Sequence, residues 1–155
     1  MSSDAIQIRS AREADLAAIV ALLADDPLGR EREQDSDPLP FAYRQAFSDM
    51  EEQLGNRMLV AEQEGVLIGC LQLTVIAGLS RRGAKRAQIE AVRVGSAWRG
   101  QGVGERLVRH AITLARAAGC CLVQLTTDKS RNDAHRFYEG LGFTASHIGM
   151  KLNIL

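Results

Sequence analysis

Apolar residues recur along this chain at spacings that predict both strands and helices. Ala5–Arg9 alternates like a first strand, whereas Asp15–Ala24 and Phe41–Leu54 carry their apolar residues at helical spacing. Between these two helices, residues 25–40 hold all three prolines of the chain and many charges. We therefore predict that residues 25–40 form a surface loop, a flap between two helices.

The middle of the chain is richest in strand patterns. Met58–Glu62 and Leu67–Ile76 flank a Glu64-Gly65 turn, and apolar and polar side chains alternate in the second segment. A basic loop, Ser80–Arg86, leads to a further strand over Ala87–Val94. We interpret these three segments as an antiparallel meander.

The second half alternates helix and strand. Val103–Ala118 is a strong amphipathic helix, and Gly119 suits the position just past its end. Leu122–Thr126 follows as a buried strand, so a βαβ unit is predicted. Asp133–Leu141 is a short helix, and Phe143–Asn153 is predicted to supply the closing strands.

The composition fits one domain over residues 1–155. A chain of 155 residues with 46% hydrophobic and 25% charged side chains is long enough to bury a core of its own. Basic and acidic residues number 19 each, so no global field attracts nucleic acid or an anionic membrane. We expect neither as a partner.

The cysteines and the N-terminus indicate a cytoplasmic protein. Cys70, Cys120 and Cys121 match neither a disulfide framework nor a zinc site, and a reducing compartment fits them best. Met1–Ala5 lacks the pattern of a secretory signal. The most apolar run, Val66–Leu79, is interrupted by polar residues and is too short to cross a bilayer as a helix. No metal and no membrane span are expected.

A glycine-rich turn is the strongest candidate for a binding site. After the strand that ends at Val94, the chain passes Gly100, Gly102 and Gly104 as it enters the long helix. Glycine lets the backbone approach a ligand, and a helix start attracts anions, so the turn suits a phosphate. A dinucleotide fingerprint needs a glycine where Glu105 stands, and a P-loop needs a Gly-Lys-Ser/Thr ending that is absent.

Two motifs resemble the hallmarks of the GNAT acyltransferase superfamily. Arg99-Gly100-Gln101-Gly102-Val103-Gly104 resembles its acetyl-CoA signature, and Ile89–Val94 resembles the strand before it. Downstream, Phe137–Phe143 resembles the second hallmark, a tyrosine before a Leu-Gly-Phe corner. The resemblance implies the α+β GNAT fold, with a mixed, mostly antiparallel sheet of six to seven strands and about four helices. The implied order is strand, two helices, three strands, helix, strand, helix and two closing strands.

The same resemblance implies acetyl-CoA as the co-substrate. The backbone of the strand would pair with the pantetheine arm, and the loop amides would hold the pyrophosphate. Family members often carry an asparagine seven residues before the tyrosine, but Arg131 stands there and an asparagine follows it. The implied CoA-binding residues are Val92, Val94, Arg99, Gly100, Gln101, Gly102, Val103, Gly104 and Asn132.

Two residues are candidates for the proton transfers. Glu90 is the candidate base, acting through a water; alternatively, the cations of the Arg81–Arg86 loop simply satisfy its charge. Tyr138 is the candidate acid, because a phenol with a pKa of about 10 stays protonated and can donate to a thiolate leaving group. Alternatively, Tyr138 is a core tyrosine at a helix end.

These features predict an acetyl-CoA-dependent N-acetyltransferase that acts on a primary amine of a small molecule or a peptide, by direct attack in a ternary complex. The alternative, from a different class, is a CoA-binding sensor of the same fold that performs no transfer. The predicted flap is acidic and either favours a cationic amine or is a solvated loop. A homodimer is a further possibility, with Leu152–Leu155 as a candidate interface. The acidic residues of the flap are Asp25, Asp26, Glu31, Glu33, Asp35 and Asp37.

Overall fold

The computed structural model describes residues 5–155. Apart from two short helices in segments predicted to be loops, the elements follow the order predicted from the sequence up to the last helix. The strands are β1 Gln7–Ser10, β2 Asn56–Gln63, β3 Val66–Ile76, β4 Lys85–Val94 and β5 Cys120–Leu125. The helices are α1 Leu16–Ala24, α2 Pro27–Arg32, α3 Phe41–Glu52, the short turn α4 Ser80–Gly83, α5 Val103–Ala117 and α6 Asn132–Gly140.

The strands form one sheet in the order β1-β2-β3-β4-β5. The first four pair antiparallel, which confirms the predicted meander. β5 lies beside β4 at the far edge, and the 15-residue helix α5 connects the two. A helical crossover of this kind joins neighbouring parallel strands, so the sheet is mixed.

The core lies where α1 and α5 pack against the central strands. On α5, Leu107, Val108, Ala111 and Ala115 are buried, which follows the helical period of the sequence. The helix ends before Gly119, whose φ of +80° is the left-handed conformation that glycine adopts at low cost. The central strands contribute further fully buried side chains to the core: Leu59, Val60, Ile68, Leu71, Leu73 and Ile89.

Residues 25–40 are not only a loop, because they contain helix α2. Asp26 precedes this helix with an extended backbone, and its side chain accepts a hydrogen bond from the Gly29 N–H. Pro27 occupies the first helical position, where the missing N–H of proline costs nothing. The loop prediction is therefore wrong for Pro27–Arg32, since one of the three prolines starts a helix.

The predicted closing strands over Phe143–Asn153 are also wrong. Residues 143–155 form no strand in the described structure, so the sheet has five strands rather than six or seven. The alternating apolar residues from Ile148 to Ile154, which gave the strand pattern, are exposed. Alternation makes a segment able to form a strand, but a strand forms only where another one pairs with it.

The described chain divides into two compact units. The first ends at Gln124 and contains nearly the whole sheet, and the second is Leu125–Leu155, with α6 as its regular element. The buried side chains all lie between Leu16 and Ala115, in the first unit. The prediction of a single domain over residues 1–155 stays a prediction.

Arg9 of β1 forms hydrogen bonds to the segment that precedes α1 and to the neighbouring strand β2. Its guanidinium donates to both carboxylate oxygens of Asp15, at 2.7 and 3.0 Å, and to Glu62 of β2 at 2.9 Å. The hydrogen bonds from Arg9 lower the pKa of Asp15. A carboxylate with a depressed pKa stabilises the fold above its unfolded pKa, and this stabilisation disappears as the pH falls through the folded value.

We expect Asp15→Asn to lower the free energy of unfolding at pH 7 by about 1–2 kcal/mol, because charge-assisted hydrogen bonds from a partly buried arginine are lost. At about pH 2 the difference from wild type should be smaller, since the wild-type carboxyl, whose pKa is lowered from its usual value of 3.8, loses its charge only as the pH falls through that lowered pKa. Urea unfolding at both pH values measures this. Asp133→Asn is the control, because the Asp133–Arg136 pair is largely exposed and should contribute under about 0.5 kcal/mol. An equal loss at both pH values would contradict the assignment.

Candidate active site

The loop between β4 and α5 has the conformation that its glycines allow. Gly100 and Gly102 have φ values of +75° and +82°, which strain any other residue. A Cβ added at either glycine would meet no other atom within 4 Å. Both glycines are therefore needed for backbone conformation, and open space lies beside them.

The start of α5 leaves backbone donors for a ligand. Gly102 is the N-cap residue, and no side chain caps the helix. The Arg106 N–H closes the first helical turn on the Gly102 carbonyl, at 3.1 Å, so the amides of Val103–Glu105 lie ahead of the first intrahelical bond. Unpaired amides and the dipole of a 15-residue helix together attract an anion such as a phosphate.

The side chain of Arg99 stabilises the loop from within. Its Nε donates to the Val94 carbonyl at 3.2 Å, and its Nη2 donates to the Asp25 carbonyl at 2.8 Å. The Asp25 carboxylate accepts the Ser96 N–H at 3.1 Å and lies 3.6 Å from Nη2 of Arg99. These contacts of Asp25, the residue that follows α1, connect the end of that helix to the loop. A role of Arg99 in holding the cofactor stays a prediction.

β4 carries a β-bulge just before the loop. Gln72 of β3 faces Glu90 and Cys70 faces Arg93, so β4 contains one residue more than β3 over this interval. Within the bulge, Ala91 has a φ of +52°, a strained value for alanine. Bulges re-aim side chains and interrupt pairing, and they are frequent beside active sites.

Val92, predicted with Val94 to pair with pantetheine, is the second residue of this bulge, and Val94 follows the bulge. Each carbonyl accepts one hydrogen bond from an arginine: Arg93 Nη1 donates to Val92 at 2.9 Å, and Arg99 donates to Val94. A carbonyl oxygen has two lone pairs, so each can accept a further bond. Arg93 Nε also lies 3.1 Å from the Asp26 carboxylate, an ion pair without the alignment of a hydrogen bond.

Glu90, the predicted base, is exposed on β4 directly before the bulge. Within residues 5–155 it forms no ion pair with Arg81, Arg82, Lys85 or Arg86, so the structure gives no support to the alternative that those cations satisfy its charge. Its role as a base stays a prediction.

Tyr138 and Asn132 belong to the second unit. Tyr138 is half-buried on α6, where its ring packs edge-on against Phe137 and Phe143, with ring centres 5.0 and 5.8 Å away. The Tyr138 carbonyl accepts the N–H groups of Leu141 and Phe143, which closes the corner that follows the helix. Asn132 is exposed at the helix start. The candidate acid is thus held by aromatic packing, and its role stays a prediction.

The remaining reactive side chains do not form a second site. Burial raises the pKa of the Cys70 thiol to about 12, so it stays protonated in the core. In the described part of the chain, no group of three His, Cys, Asp or Glu side chains is arranged to hold a metal ion. No helix among residues 5–155 has both the length and the apolar character needed to cross a membrane.

The structure therefore brings Glu90, Val92, Val94 and the Arg99–Gly104 loop together at the corner between β4 and α5. The sequence did not predict the contact of Asp25 with this loop, because the acidic residues of the flap were considered only as one group, either facing a cationic amine or solvated. The Asp26-Pro27 pair was a usable signal, since it marks a helix start and thus an ordered segment.

Asp25→Ala is expected to weaken CoA binding about fivefold, since one hydrogen bond to the loop and a half-exposed ion pair are lost. Titration calorimetry with CoA measures the effect. Asp25→Asn should recover most of the affinity, because its amide oxygen can still accept the Ser96 N–H. Glu31→Ala is the control, because this exposed acidic residue of the same segment makes no such contact and lies outside the cleft that Asp25 lines. Unchanged affinity of Asp25→Ala would rule out the proposed role.

Known proteins of similar sequence or structure share this architecture. The crystal structure of a transcriptional regulator from Bacillus halodurans C-125 is 49% identical, with a TM-score of 0.94 over 97% of this chain and 100% of that one. A putative acetyltransferase from Agrobacterium tumefaciens str. C58 is 30% identical, with a TM-score of 0.81 over 95% and 99%. The aminoalkylphosphonate N-acetyltransferase of Salmonella typhimurium strain LT2 is 46% identical over 50 residues, which span only 32% of each chain.

A match to a protein-family model shows to which family the chain belongs. The model of the acetyltransferase (GNAT) family matches residues 16–143, which include β4 and α5 on either side of the loop and the whole sheet except β1. The fold class predicted from the two motifs is thereby confirmed. The chain belongs to the GNAT acetyltransferase family.

Proposed function

We propose that the protein is an acetyl-CoA-dependent N-acetyltransferase that acts on a primary amine. The observation that carries this proposal is the uncapped start of α5, which follows two left-handed glycines and adjoins the bulged strand β4. Family membership and the N-acetyltransferase among its relatives support it.

In this proposal the donor binds along β4 and the loop. The amides of Gln101–Gly104 hold the pyrophosphate, and the backbone of Val92 and Val94 pairs with the amides of pantetheine as with an added strand. The open space beside Gly100 and Gly102 supports the placement of the pyrophosphate. The bulge in β4 supports the placement of the pantetheine arm along this strand, because it interrupts the regular pairing of β4 at Ala91 and Val92.

The reaction proposed is direct attack in a ternary complex. The amine nitrogen bonds to the acetyl carbonyl carbon, the carbon–sulfur bond breaks, and the thiolate takes a proton from Tyr138. The amine loses its proton through a water to Glu90. A base matters most for lysine-like amines, whose pKa of about 10.4 leaves them protonated at neutral pH, whereas an α-amine with a pKa near 8 is partly neutral.

The acceptor proposed is a small molecule or a peptide with a cationic amine. An open cleft of about 450 Å³ lies beside α1, with Asp25 and Asp35 in a wall otherwise made of alanine and leucine. Two carboxylates over an apolar surface favour an amine on an apolar stem. The relative named for aminoalkylphosphonates supports a primary amine, although the match covers only a third of that enzyme.

The test is a screen of primary amines with acetyl-CoA that measures release of free thiol. The panel includes aminoalkylphosphonates, polyamines and peptides with free N-termini, and mass spectrometry identifies the acetylated product. We expect at least one amine to raise thiol release well above hydrolysis in its absence. If none does, the transferase proposal is lost.

The second candidate function is a CoA-binding module without transfer activity. The name of the 49% identical Bacillus halodurans protein, a transcriptional regulator, favours it. CoA that raises the melting temperature while every amine stays unmodified would decide for this candidate. We also propose a cytoplasmic location, which the free thiols support, and a homodimer.

A further inference from the structure

One face of the sheet changes from apolar to polar along its strands. Met58, Val60 and Cys70 lie on this face, are buried and pack against α1. Gln72 is the register partner of Met58, and the positions next to this pair on the same face hold polar side chains that are not buried. This polar part of the face reaches solvent, since Glu90 within it is exposed.

The polar side chains of this face form a row across four strands, which we call the polar row. Asn56 faces Thr74 in the register of β2 and β3, and Gln72 and Thr74 face Glu90 and Gln88 across β3 and β4. Neighbouring strands lie about 4.8 Å apart, so the row extends over roughly 14 Å from β2 to β5. Its six members are Asn56, Gln72, Thr74, Gln88, Glu90 and Gln124.

Hydrogen bonds between members of the row fix their orientation. Asn56 Oδ1 accepts from Gln72 Nε2 at 3.1 Å and from Thr74 Oγ1 at 3.3 Å. At the other end of the row, Gln124 Nε2 donates to Gln88 Oε1 at 2.7 Å, which connects β5 to β4. Each of these bonds uses only part of a carboxamide, which has two N–H donors and an oxygen with two lone pairs.

Two of these carboxamides lie beside Glu90, the proposed base, and keep unused hydrogen-bonding atoms. Gln72 faces Glu90 across the strands, about 5 Å away, and Gln88 lies two residues before it on the same face, about 7 Å away. Among residues 5–155, the Gln72 carbonyl oxygen accepts no hydrogen bond and the Gln88 amino group donates none. The surroundings of Glu90 thus offer an acceptor and a donor in fixed positions.

The composition of the row differs from that of an ordinary solvated sheet face. Asparagine is depleted in strands, whereas threonine is favoured there. The row nevertheless contains four carboxamides and a single charge, that of Glu90. Neutral groups that both donate and accept are matched to hydroxyl groups, which also do both. The row therefore has the chemistry of a surface that recognises hydroxyl groups next to a carboxylate.

We propose that the polar row binds the acceptor and selects an amine that carries hydroxyl groups close to its nitrogen, as a short amino alcohol does. The amine lies beside Glu90, and its hydroxyl groups bond to the Gln72 carbonyl oxygen and the Gln88 amino group. A site built for hydroxyl groups discriminates against an acceptor that lacks them, because its polar atoms then lose water without gaining a partner.

This inference deepens the proposed function and rests on it. The cleft beside α1 includes Leu67, which precedes Gln72 by five residues on β3 and therefore lies about 16 Å away along the strand. The cleft and the polar row thus contact different parts of an acceptor. The row is the surface next to Glu90, so it selects the groups that surround the reacting nitrogen.

Selection is tested with two amines of the same carbon skeleton, serinol with two hydroxyl groups and isopropylamine with none. Wild type should prefer serinol in kcat/KM, and Gln72→Met and Gln88→Met should each lower this preference about fivefold or more. Hydroxyl groups also lower the pKa of the amine, but this contribution cancels when the ratio of the two amines is compared between variant and wild type.

The chain offers a matched control in Gln7→Met, which removes an exposed carboxamide on β1 outside the row and should leave the ratio unchanged. Melting temperatures of the three variants separate loss of selection from loss of folding. A wild type that prefers isopropylamine would overturn the proposal, as would a wild-type ratio in both Gln72→Met and Gln88→Met.

Binding is tested without turnover, by heteronuclear NMR of the isotope-labelled chain with CoA present. Serinol should shift the side-chain amide signals of Gln72 and Gln88, which are assigned by their loss in the two variants, and isopropylamine should shift them less. The amide signal of Gln7 should stay in place. If wild type acetylates neither amine nor any other in the screen, the proposed function fails and the NMR result still decides the row. No shift at Gln72 or Gln88 with excess serinol would overturn the proposal.

Discussion

Gly102→Glu should abolish CoA binding, with a dissociation constant raised at least about a hundredfold. The left-handed φ of +82° and the open space beside Gly102 place any side chain where the pyrophosphate is proposed to lie. A carboxylate there adds like charge to the phosphates and competes for the helix amides. Calorimetry with CoA, together with the melting temperature, measures binding and folding separately.

The chain offers a matched control at the other end of the same helix. Gly119 also has a left-handed φ, +80°, and equally open surroundings. Gly119→Glu therefore introduces similar backbone strain, about 1 kcal/mol, far from the proposed phosphate site. We expect comparable losses of melting temperature and loss of binding only at Gly102. Tight CoA binding by Gly102→Glu would remove the loop from the donor site.

The glycine loop shows how much of a site can be predicted from local sequence. The spacing of Gly100 and Gly102 behind a strand predicted a turn into a helix, and the structure gives both glycines the left-handed conformation that this turn needs. That prediction succeeds because the conformation depends on neighbouring residues alone. The hydrogen bond between Asp25 and Ser96 joins residues that are far apart in the chain, and no pattern in the sequence predicts it.

The bulge in β4 and the segment after α6 show a second feature that the sequence alone does not predict, namely how strands pair. Alternation identified β4 as a strand, but the extra residue at Ala91 becomes visible only when the register with β3 is known. For Phe143–Asn153, alternation predicted strands that the described structure does not form. Pairing depends on which edge is available, and that is a property of the assembled sheet.

Tyr138→Phe should lower kcat by about 10²–10⁴-fold and leave the dissociation constant for CoA unchanged. The substitution removes the phenolic hydroxyl, and with it the proton that is proposed to pass to the thiolate. The ring keeps its edge-on contacts with Phe137 and Phe143, so α6 and the corner after it should fold as before. Steady-state kinetics with an amine found in the screen, and calorimetry with CoA, measure the two effects.

The other tyrosine of the chain makes the result specific. Tyr43→Phe also removes one hydroxyl, which donates to Glu33 and accepts the Gln34 N–H, and we expect the melting temperature to fall while turnover stays within about twofold. The opposite pattern at Tyr138, with stability kept and turnover lost, distinguishes proton donation from packing. If Tyr138→Phe turns over like wild type, the thiolate takes its proton from another source. Tyr138 would then be a structural residue of α6, the alternative that its half-buried position between two phenylalanines equally allows.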